Sequence, residues 1–206
     1  SVMKAESGIV SPLIANGTHA LTLTLFGLLR PGDLMLSIAG KPYDTLDEVI
    51  KGKNNGSLAD FGIKYTQTEL TEENEFDFAA IEKKINEQDP KVIFIQRSKG
   101  YAWRDALSVE KIGDTIAKIK SFGTKALFVV DNCYGEFVEK KEPTEVGADV
   151  IVGSLIKNPC AGLAPTGGYI CGKADCIEQI SYRLTAPSLG MEVGSCVSGY
   201  IPYYQG

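Results

Sequence analysis

The feature that most constrains the fold is an alternation of short apolar runs with segments of helical periodicity. The runs at 34–38, 92–95, 126–130 and 150–152 are continuous and rich in β-branched residues, as strands buried on both faces are. Between them, apolar residues recur at helical spacing: Phe78, Ile81 and Ile85, then Val109, Ile112, Ile116 and Ile119. Strands that alternate with helices predict an α/β fold with a mostly parallel sheet and helices on both faces.

Polar residues indicate where the helices begin. Asp77 and Ser108 stand at expected N-cap positions, and Thr45 with Glu48 fits a capping box. The apolar segment 20–29 follows Asn16-Gly17-Thr18-His19, so a helix with a glycine at its start is expected there.

Composition excludes several classes of function. The 206 residues are enough for one large domain, and the net charge of -5 argues against a nucleic-acid or anionic-membrane partner. No run of 18 apolar residues and no signal peptide is visible. A cytoplasmic protein with no membrane and no nucleic-acid partner is therefore expected.

The cysteines indicate a reducing compartment. They are odd in number and include no CxxC pair, so reduced thiols are expected at Cys133, Cys160, Cys171, Cys176 and Cys196. His19 is the only histidine, and its simplest interpretation is structural. We therefore expect no metal site.

Polar side chains follow three of the predicted strands. Asp131 follows 126–130, Ser154 and Lys157 follow 150–152, and the stretch 96–98 (Gln-Arg-Ser) follows 92–95. Taken singly, such residues are usually turn formers, caps or solvated charges. Ligands of parallel sheets bind outside the carboxyl ends of the strands, so these groups are expected to meet at one edge.

One chemistry, that of pyridoxal 5'-phosphate (PLP), uses all of these parts. Its aldehyde needs a lysine amine with which to form a Schiff base, a role that Lys157 can fill. Its pyridine nitrogen needs a carboxylate, and raising the pKa of that nitrogen by one unit takes about 1.4 kcal/mol, which Asp131 can supply.

The remaining parts of the predicted cofactor site bind the phosphate and the ring. Gly17 and Thr18 at a helix start, together with Ser154, are the candidate phosphate ligands. Tyr43, in the loop after the strand 34–38, is the candidate aromatic that stacks on the ring. The alternative for Tyr43 is a half-buried loop tyrosine.

Several stretches also resemble a known family. They are NGTHALTLTLFGLLRPGD, GKPYDTLDEV, FIQRSKGYAWR, VVDNCYGEFVEKKEPTEVGADVIVGSLIKNP, APTGGYICG and SYRLTAPSLGMEVG. Together they are similar to the methionine gamma-lyase-like family of PLP-dependent enzymes, whose members are often labelled aluminium resistance proteins. The resemblance implies PLP fold type I, an aspartate-aminotransferase-like large domain, over residues 1–206. It also implies the same roles for Lys157, Asp131, Tyr43 and Ser154, and a looser match at Asn16-Gly17-Thr18.

The chain departs from the family in two respects. Members are usually glycine-rich after the lysine, where this chain has Pro159-Cys160-Ala161-Gly162, and a left-handed backbone at a substituted position would cost about 1–2 kcal/mol. Members are also longer at both ends. The resemblance therefore implies a partial chain without the N-terminal segment and the C-terminal small domain, which supplies the substrate-binding arginine. Arg183 is a candidate substitute, although a surface role suits it better.

The leading hypothesis is a PLP-dependent carbon–sulfur lyase that acts on a sulfur-containing amino acid through a Lys157 Schiff base. The elimination step is implied by the resemblance alone. The alternatives are a PLP-dependent aminotransferase and a non-catalytic member of the fold; no dinucleotide or P-loop motif supports a nucleotide-binding module. By analogy with fold type I, a homodimer or homotetramer is expected.

Overall fold

The computed structural model describes residues 2–192 together with Ile201 and Gln205. Within them, one sheet of seven strands runs in the order β1-β7-β6-β5-β4-β2-β3. The strands are β1 Ser7–Ser11, β2 Leu34–Ser37, β3 Lys64–Gln67, β4 Val92–Gln96, β5 Leu127–Asp131, β6 Val150–Ser154 and β7 Gly168–Gly172. Strands β2 to β6 are parallel, and β7 is antiparallel to β1 and β6. The predicted mostly parallel sheet is confirmed.

Helices cover both faces of the sheet, as predicted. They are α1 Gly17–Leu28, α2 Asp44–Lys51, α3 Phe78–Gln88, α4 Val109–Lys120 and α5 Ala174–Leu184. One apolar core joins α1, α2 and α5 to strand residues such as Val129, and a second joins α3 and α4 to residues such as Phe128 and Val130. Each fully buried side chain of this kind contributes about 1.5–3 kcal/mol, so the central strands are firmly held.

Three strands and one helix have no counterpart in the sequence prediction. Strand β3 is polar and lies at the edge of the sheet, and β1 and β7 are short and contain glycine. At Gly172 a Cβ atom would lie 2.1 Å from the carbonyl oxygen of Asp149. This glycine, which weakens the sequence signal for a strand, is required by close backbone packing.

Three of the four predicted helix starts are confirmed, and the first is α1, which begins at Gly17 with Asn16 as its N-cap. Asp77 accepts a hydrogen bond from the Ala80 N–H, and Ser108 accepts one from the Lys111 N–H. The capping box of Thr45 and Glu48 is wrong, because α2 begins two residues earlier than it implies, with Tyr43 at the N-cap and no side-chain cap. The Thr45 hydroxyl instead lies 3.2 Å from the hydroxyl of Thr18.

The described cysteines are reduced, as predicted. Cys133, Cys160, Cys171 and Cys176 are all buried and form no disulfide, and Cys196 lies outside the described residues. In the described part of the chain, no helix is both long enough and apolar enough to span a bilayer.

Candidate active site

The predicted site residues meet at the carboxyl edge of the sheet. Tyr43, Asp131 and Lys157 line one cavity of about 310 Å³, together with Gln96, Ser98, Gly100, Tyr101, Cys133 and Tyr134. The strand register explains the convergence, because Gln96 pairs with Asp131 and Asp131 with Val152, two residues before Ser154. The ends of β4 and β5 therefore line the cavity, and Lys157 reaches it from the turn after β6.

Asp131 is a buried carboxyl with few partners. It is the last residue of β5 and 3% exposed, and its Oδ1 accepts a hydrogen bond of 3.1 Å from the Cys133 N–H. Burial raises the pKa of Asp131, while the Cys133 hydrogen bonds and the Lys157 charge act in the opposite direction. No backbone N–H of residues 2–192 donates to Oδ2. A cationic ligand in the cavity would compensate for the burial of this group.

Lys157 lies in the turn after β6 and is half-buried. Its Nζ lies 4.1 Å from the centroid of the Tyr134 ring, a cation–π distance. Burial disfavours the ammonium, but Cys133, Tyr134 and Asp131 outweigh it and the pKa of Lys157 is raised. Among the described residues, no carboxylate oxygen lies within salt-bridge distance of Nζ. The amine is therefore not engaged in a salt bridge and faces the cavity.

The candidate anion site lies at the start of α1. Asn16 caps the helix by accepting a hydrogen bond from the His19 N–H at 2.8 Å, which leaves the N–H groups of Gly17 and Thr18 without acceptors inside the helix. A Cβ atom at Gly17 would lie 3.4 Å from both Ser154 Cβ and Cys133 Sγ. Gly17 and buried Ser154 are thus adjacent at the edge of the cavity.

The helix start is only part of an anion site. It contributes about 0.3–1 kcal/mol, or about 2 kcal/mol when partly buried. The hydroxyls of Thr18 and Ser154 supply further donors, and Ser154 makes only a long contact of 3.5 Å to the Gly167 carbonyl. The three residues predicted to bind a phosphate therefore lie together.

Tyr43 is held at both of its ends. Its hydroxyl lies 3.1 Å from Thr18 Oγ1, and its backbone N–H donates to Gln96 Oε1 at 3.0 Å. Burial, followed by the charge of Asp131, raises the pKa of Tyr43 to about 12. The phenol is therefore neutral at physiological pH, and its ring is fixed at the wall of the cavity.

Four residues of the site were not assigned a role from the sequence. Gln96 joins two loops, since it binds the Tyr43 N–H and donates to the Ser98 carbonyl at 3.3 Å. Cys133 and Tyr134 line the cavity, and Glu136 is buried behind it. All of them lie at, or within five residues after, the strand ends at Gln96 and Asp131. This position in the sequence is the feature from which a role in the site could have been predicted.

Arg97 belongs to the stretch 96–98 that follows a predicted strand, but its guanidinium is hydrogen-bonded away from the cavity. It donates to the Leu107 and Gly135 carbonyls, to Asn132 Oδ1 and to Glu139 Oε1, at 2.6–3.2 Å. Ser98, from the same segment, does line the cavity. Arg97 instead lines an adjoining cavity of about 560 Å³ that shares Ser98, Gly100, Cys133 and Tyr134 with the first.

The loop after Lys157 contains a residue other than glycine in a left-handed conformation, the case in which backbone strain is expected from the sequence. Ala161 adopts a left-handed conformation with φ +46° and ψ +30°. Because its methyl group crowds the backbone there, this conformation costs about 1–2 kcal/mol relative to a right-handed one. The departure from a glycine-rich loop therefore has an energetic consequence.

Two remaining candidates lie apart from the cavity. Arg183 is exposed near the end of α5 and lines neither cavity, in agreement with a surface role. The Nδ1 atom of His19 accepts a hydrogen bond from the Ala15 N–H at 3.0 Å, so this histidine braces the loop before α1.

The residues present fit PLP. One cavity is lined by the buried carboxyl of Asp131, by Lys157, which makes no salt bridge, and by the aromatic ring of Tyr43. Candidate anion donors lie next to it, at Gly17 and Ser154. The fold and the site define a class: an α/β domain with a lysine–carboxylate site at the carboxyl edge of its sheet. The chain belongs to the methionine gamma-lyase family, whose sequence profile matches residues 1–206.

Similar proteins agree with this assignment. The chain is 50% identical to the uncharacterized protein YnbB of Bacillus subtilis over all of this chain and 49% of that protein. It is 48% identical to a Clostridium novyi structure described as a carbon-sulfur lyase involved in aluminium resistance, with a TM-score of 0.93 over 99% of this chain and 49% of the other.

A more distant structure contains a modified lysine. It comes from Campylobacter jejuni and carries N'-pyridoxyl-lysine-5'-monophosphate; the identity is 25% and the TM-score 0.64, over 86% of this chain and 39% of the other. This chain spans about half the length of the curated relative and of the Clostridium novyi structure.

Proposed function

We propose that this protein is a PLP-dependent carbon–sulfur lyase acting on a sulfur-containing amino acid. The observation that carries the proposal is that Lys157, Asp131 and Tyr43 line one cavity, with the Gly17–Ser154 anion site at its edge. Membership in the methionine gamma-lyase family supports the reaction class, and the pyridoxyl-lysine of the Campylobacter jejuni structure supports the cofactor.

Each residue has a role that its surroundings favour. When bound, PLP supplies an aldehyde that bonds to amines and a ring that withdraws electrons from the substrate. Asp131 would hold a proton on the ring nitrogen, because a buried carboxylate is stabilised by a cation. Tyr43 would cover one face of the ring, and Gly17, Thr18 and Ser154 would bind the phosphate.

Lys157 would also move the proton that starts the reaction. Its Nζ can accept the proton from the substrate Cα once the amine is free and uncharged, the form in which a lysine acts as a general base. Loss of that proton lets a carbon–sulfur bond at Cβ break, and the sulfur leaves with the electron pair as a thiolate; a sulfur at Cγ, as in methionine, would require loss of a second proton, from Cβ. Hydrolysis of the remaining fragment gives a 2-oxo acid and ammonia.

The test is product formation by the complete protein loaded with PLP. Cystathionine, methionine and cysteine are supplied separately, and the 2-oxo acid, ammonia and thiol are measured. We expect all three products in equal amounts from at least one substrate, and none with Lys157→Ala. Transfer of the amino group to 2-oxoglutarate without release of a thiol would contradict the lyase proposal.

We also propose that a second subunit covers the cavity. Tyr101, which lines it, is 90% exposed, and nearby Trp103 is 98% exposed. Large exposed aromatics beside a ligand cavity are typical of surfaces that bind another chain. Light scattering on the complete protein should give a dimer or tetramer, and Trp103→Ser should weaken it; a monomeric wild-type protein would contradict this.

A further inference from the structure

Glu136 is a buried carboxyl that the proposed reaction leaves without a role. It is 1% exposed, and its Oε2 has no hydrogen-bond partner among the described residues. A buried polar atom without a partner has lost its hydrogen bonds to water without replacement, so such atoms are rare in native proteins. The position of this carboxyl behind the cavity suggests a role in the site.

The hydrogen bonds around Glu136 fix where its proton can lie. The Tyr169 hydroxyl donates to Oε1 at 2.9 Å and accepts from Asn132 Nδ2 at 3.4 Å. With Oε1 accepting this bond, Oε2, the atom without a partner, is the free position for a proton. Burial raises the pKa of Glu136 to about 7, so this carboxyl changes charge near neutral pH.

Several contacts connect Glu136 to the segment that bears Lys157. A Cβ atom at Gly153 would lie 2.5 Å from Glu136 Oε1, so the carboxyl packs directly against the strand just before Ser154. The carbonyl of Glu136 accepts a hydrogen bond of 3.1 Å from Asn158 Nδ2, one residue after Lys157. Glu136 thus contacts residues on both sides of Lys157 in the chain, Gly153 through its carboxyl and Asn158 through its carbonyl.

The groups that act electrostatically on Glu136 come from each neighbouring element. Tyr169 on β7 and Lys157 after β6 favour its ionised form, and Asp131 at the end of β5 opposes ionisation. Cys133 lies in the same segment, and the charge of Glu136 raises the pKa of its thiol. Because electrostatic coupling is reciprocal, an ionised Glu136 must also favour the protonated form of Lys157.

We propose that Glu136 is a positioning residue that controls, through its own charge, how strongly the Lys157 amine holds a proton. In its neutral form it leaves the amine more readily deprotonated, as bond formation with an aldehyde requires. In its ionised form it strengthens Lys157 as a base. The use of this control in catalysis rests on the proposed function of Lys157.

The first test measures the Lys157 amine directly in the complete, cofactor-free protein. Short pulses of acetic anhydride at pH 7–11, read out by mass spectrometry of the Lys157 peptide, give the pKa of the amine. Glu136→Gln should lower it, so that the fraction of free amine at a given pH increases. Glu178→Gln is the matched control, since Glu178 is an exposed glutamate that also bonds a tyrosine, Tyr182.

A second measurement keeps the proposal testable if Glu136→Gln fails to fold. The Glu136 carboxyl is titrated by ¹³C NMR in the cofactor-free protein, and Lys157→Met should raise its midpoint. Lys118→Met, an exposed lysine on α4, should not. Unchanged values in both variants would overturn the proposal. Because neither test uses PLP or substrate, that failure would leave the proposed lyase function intact.

Discussion

Two buried polar clusters lie side by side at the carboxyl edge of the sheet and differ in how completely they are paired. In the first, the scaffold cluster, Arg97 makes four hydrogen bonds and Asn132 bonds to Glu142, whose other oxygen accepts from the Phe137 N–H. In the second, the site cluster of Asp131, Glu136, Ser154 and Lys157, several polar groups are under-paired. Completeness of pairing, rather than polarity or burial, separates structural residues from candidate ligand-binding residues here.

The largest effect on stability is expected from Arg97→Met. The change leaves the carboxylates of Glu139 and Glu142 without their cation, and breaking a buried ion pair costs about 3–5 kcal/mol. Urea unfolding of the cofactor-free protein measures the loss, with the exposed Lys140→Met as control. A loss of unfolding free energy below about 1 kcal/mol would show that the scaffold cluster does not stabilise the fold.

Glu136, in contrast to Arg97, should destabilise the folded protein, by an amount that depends on pH. Its pKa is about 7 in the folded protein against 4.5 as the reference, so between these values the unfolded chain loses a proton that the folded one keeps. The folded state therefore loses stability as the pH rises through this window, by up to about 3 kcal/mol, and the loss levels off above pH 7.

Glu136→Gln removes this pH dependence. The difference in unfolding free energy between the variant and wild type should increasingly favour the variant from pH 4.5 to pH 7, whatever constant offset the amide introduces. Urea unfolding at half-unit intervals of pH measures it. A difference that is flat with pH would show that Glu136 does not titrate in this range.

Asp131→Asn should separate stability from ligand binding. Because burial raises the pKa of Asp131, a neutral side chain of the same shape should leave the cofactor-free protein equally stable or more stable, by about 1 kcal/mol. The affinity for PLP, measured by fluorescence titration, should fall by tenfold or more, as expected from about 1.4 kcal/mol of lost interaction. If the variant is destabilised but still binds PLP tightly, Asp131 is a structural residue and does not belong to the site cluster.

The smallest effect is expected in the loop after the lysine. Ala161→Gly relieves the left-handed strain but makes the unfolded chain more flexible, so a net gain of about 0.5–1 kcal/mol is expected. Thermal unfolding measures it against Ala106→Gly, an exposed loop alanine outside the left-handed region, which should be slightly destabilising. Equal destabilisation in both variants would exclude strain at Ala161.

The parts of the fold that could be predicted are those whose pattern is local. The apolar runs at β2, β4, β5 and β6 each correspond to a strand because burial on both faces requires a continuous apolar sequence. Strand β7 was not predicted because its Gly172 is required by a close backbone contact with Asp149 next to the neighbouring strand of the sheet. A contact between residues so far apart in the chain leaves no pattern in a short stretch of sequence. The Thr45 capping box failed because that hydroxyl bonds to Thr18 on another helix.

The same distinction applies to the site. Asp131, Ser154 and Lys157 could be found because strand ends are readable in the sequence, and parallel pairing brings those ends together. Nothing local distinguishes Arg97, which is fully bonded, from Glu136, which is not, since both are charged residues shortly after a strand. Their difference depends on partners such as Tyr169 and Glu139, which come from elsewhere in the chain.

The most direct test of the account is borohydride trapping of PLP on the complete protein, followed by peptide mass spectrometry. We expect the peptide that contains Lys157 to gain the mass of a phosphopyridoxyl group, and we expect this gain to be lost in Lys157→Ala. An increment on a different lysine, or none in a folded protein saturated with PLP, would contradict the assignment of the cavity at the ends of β5 and β6.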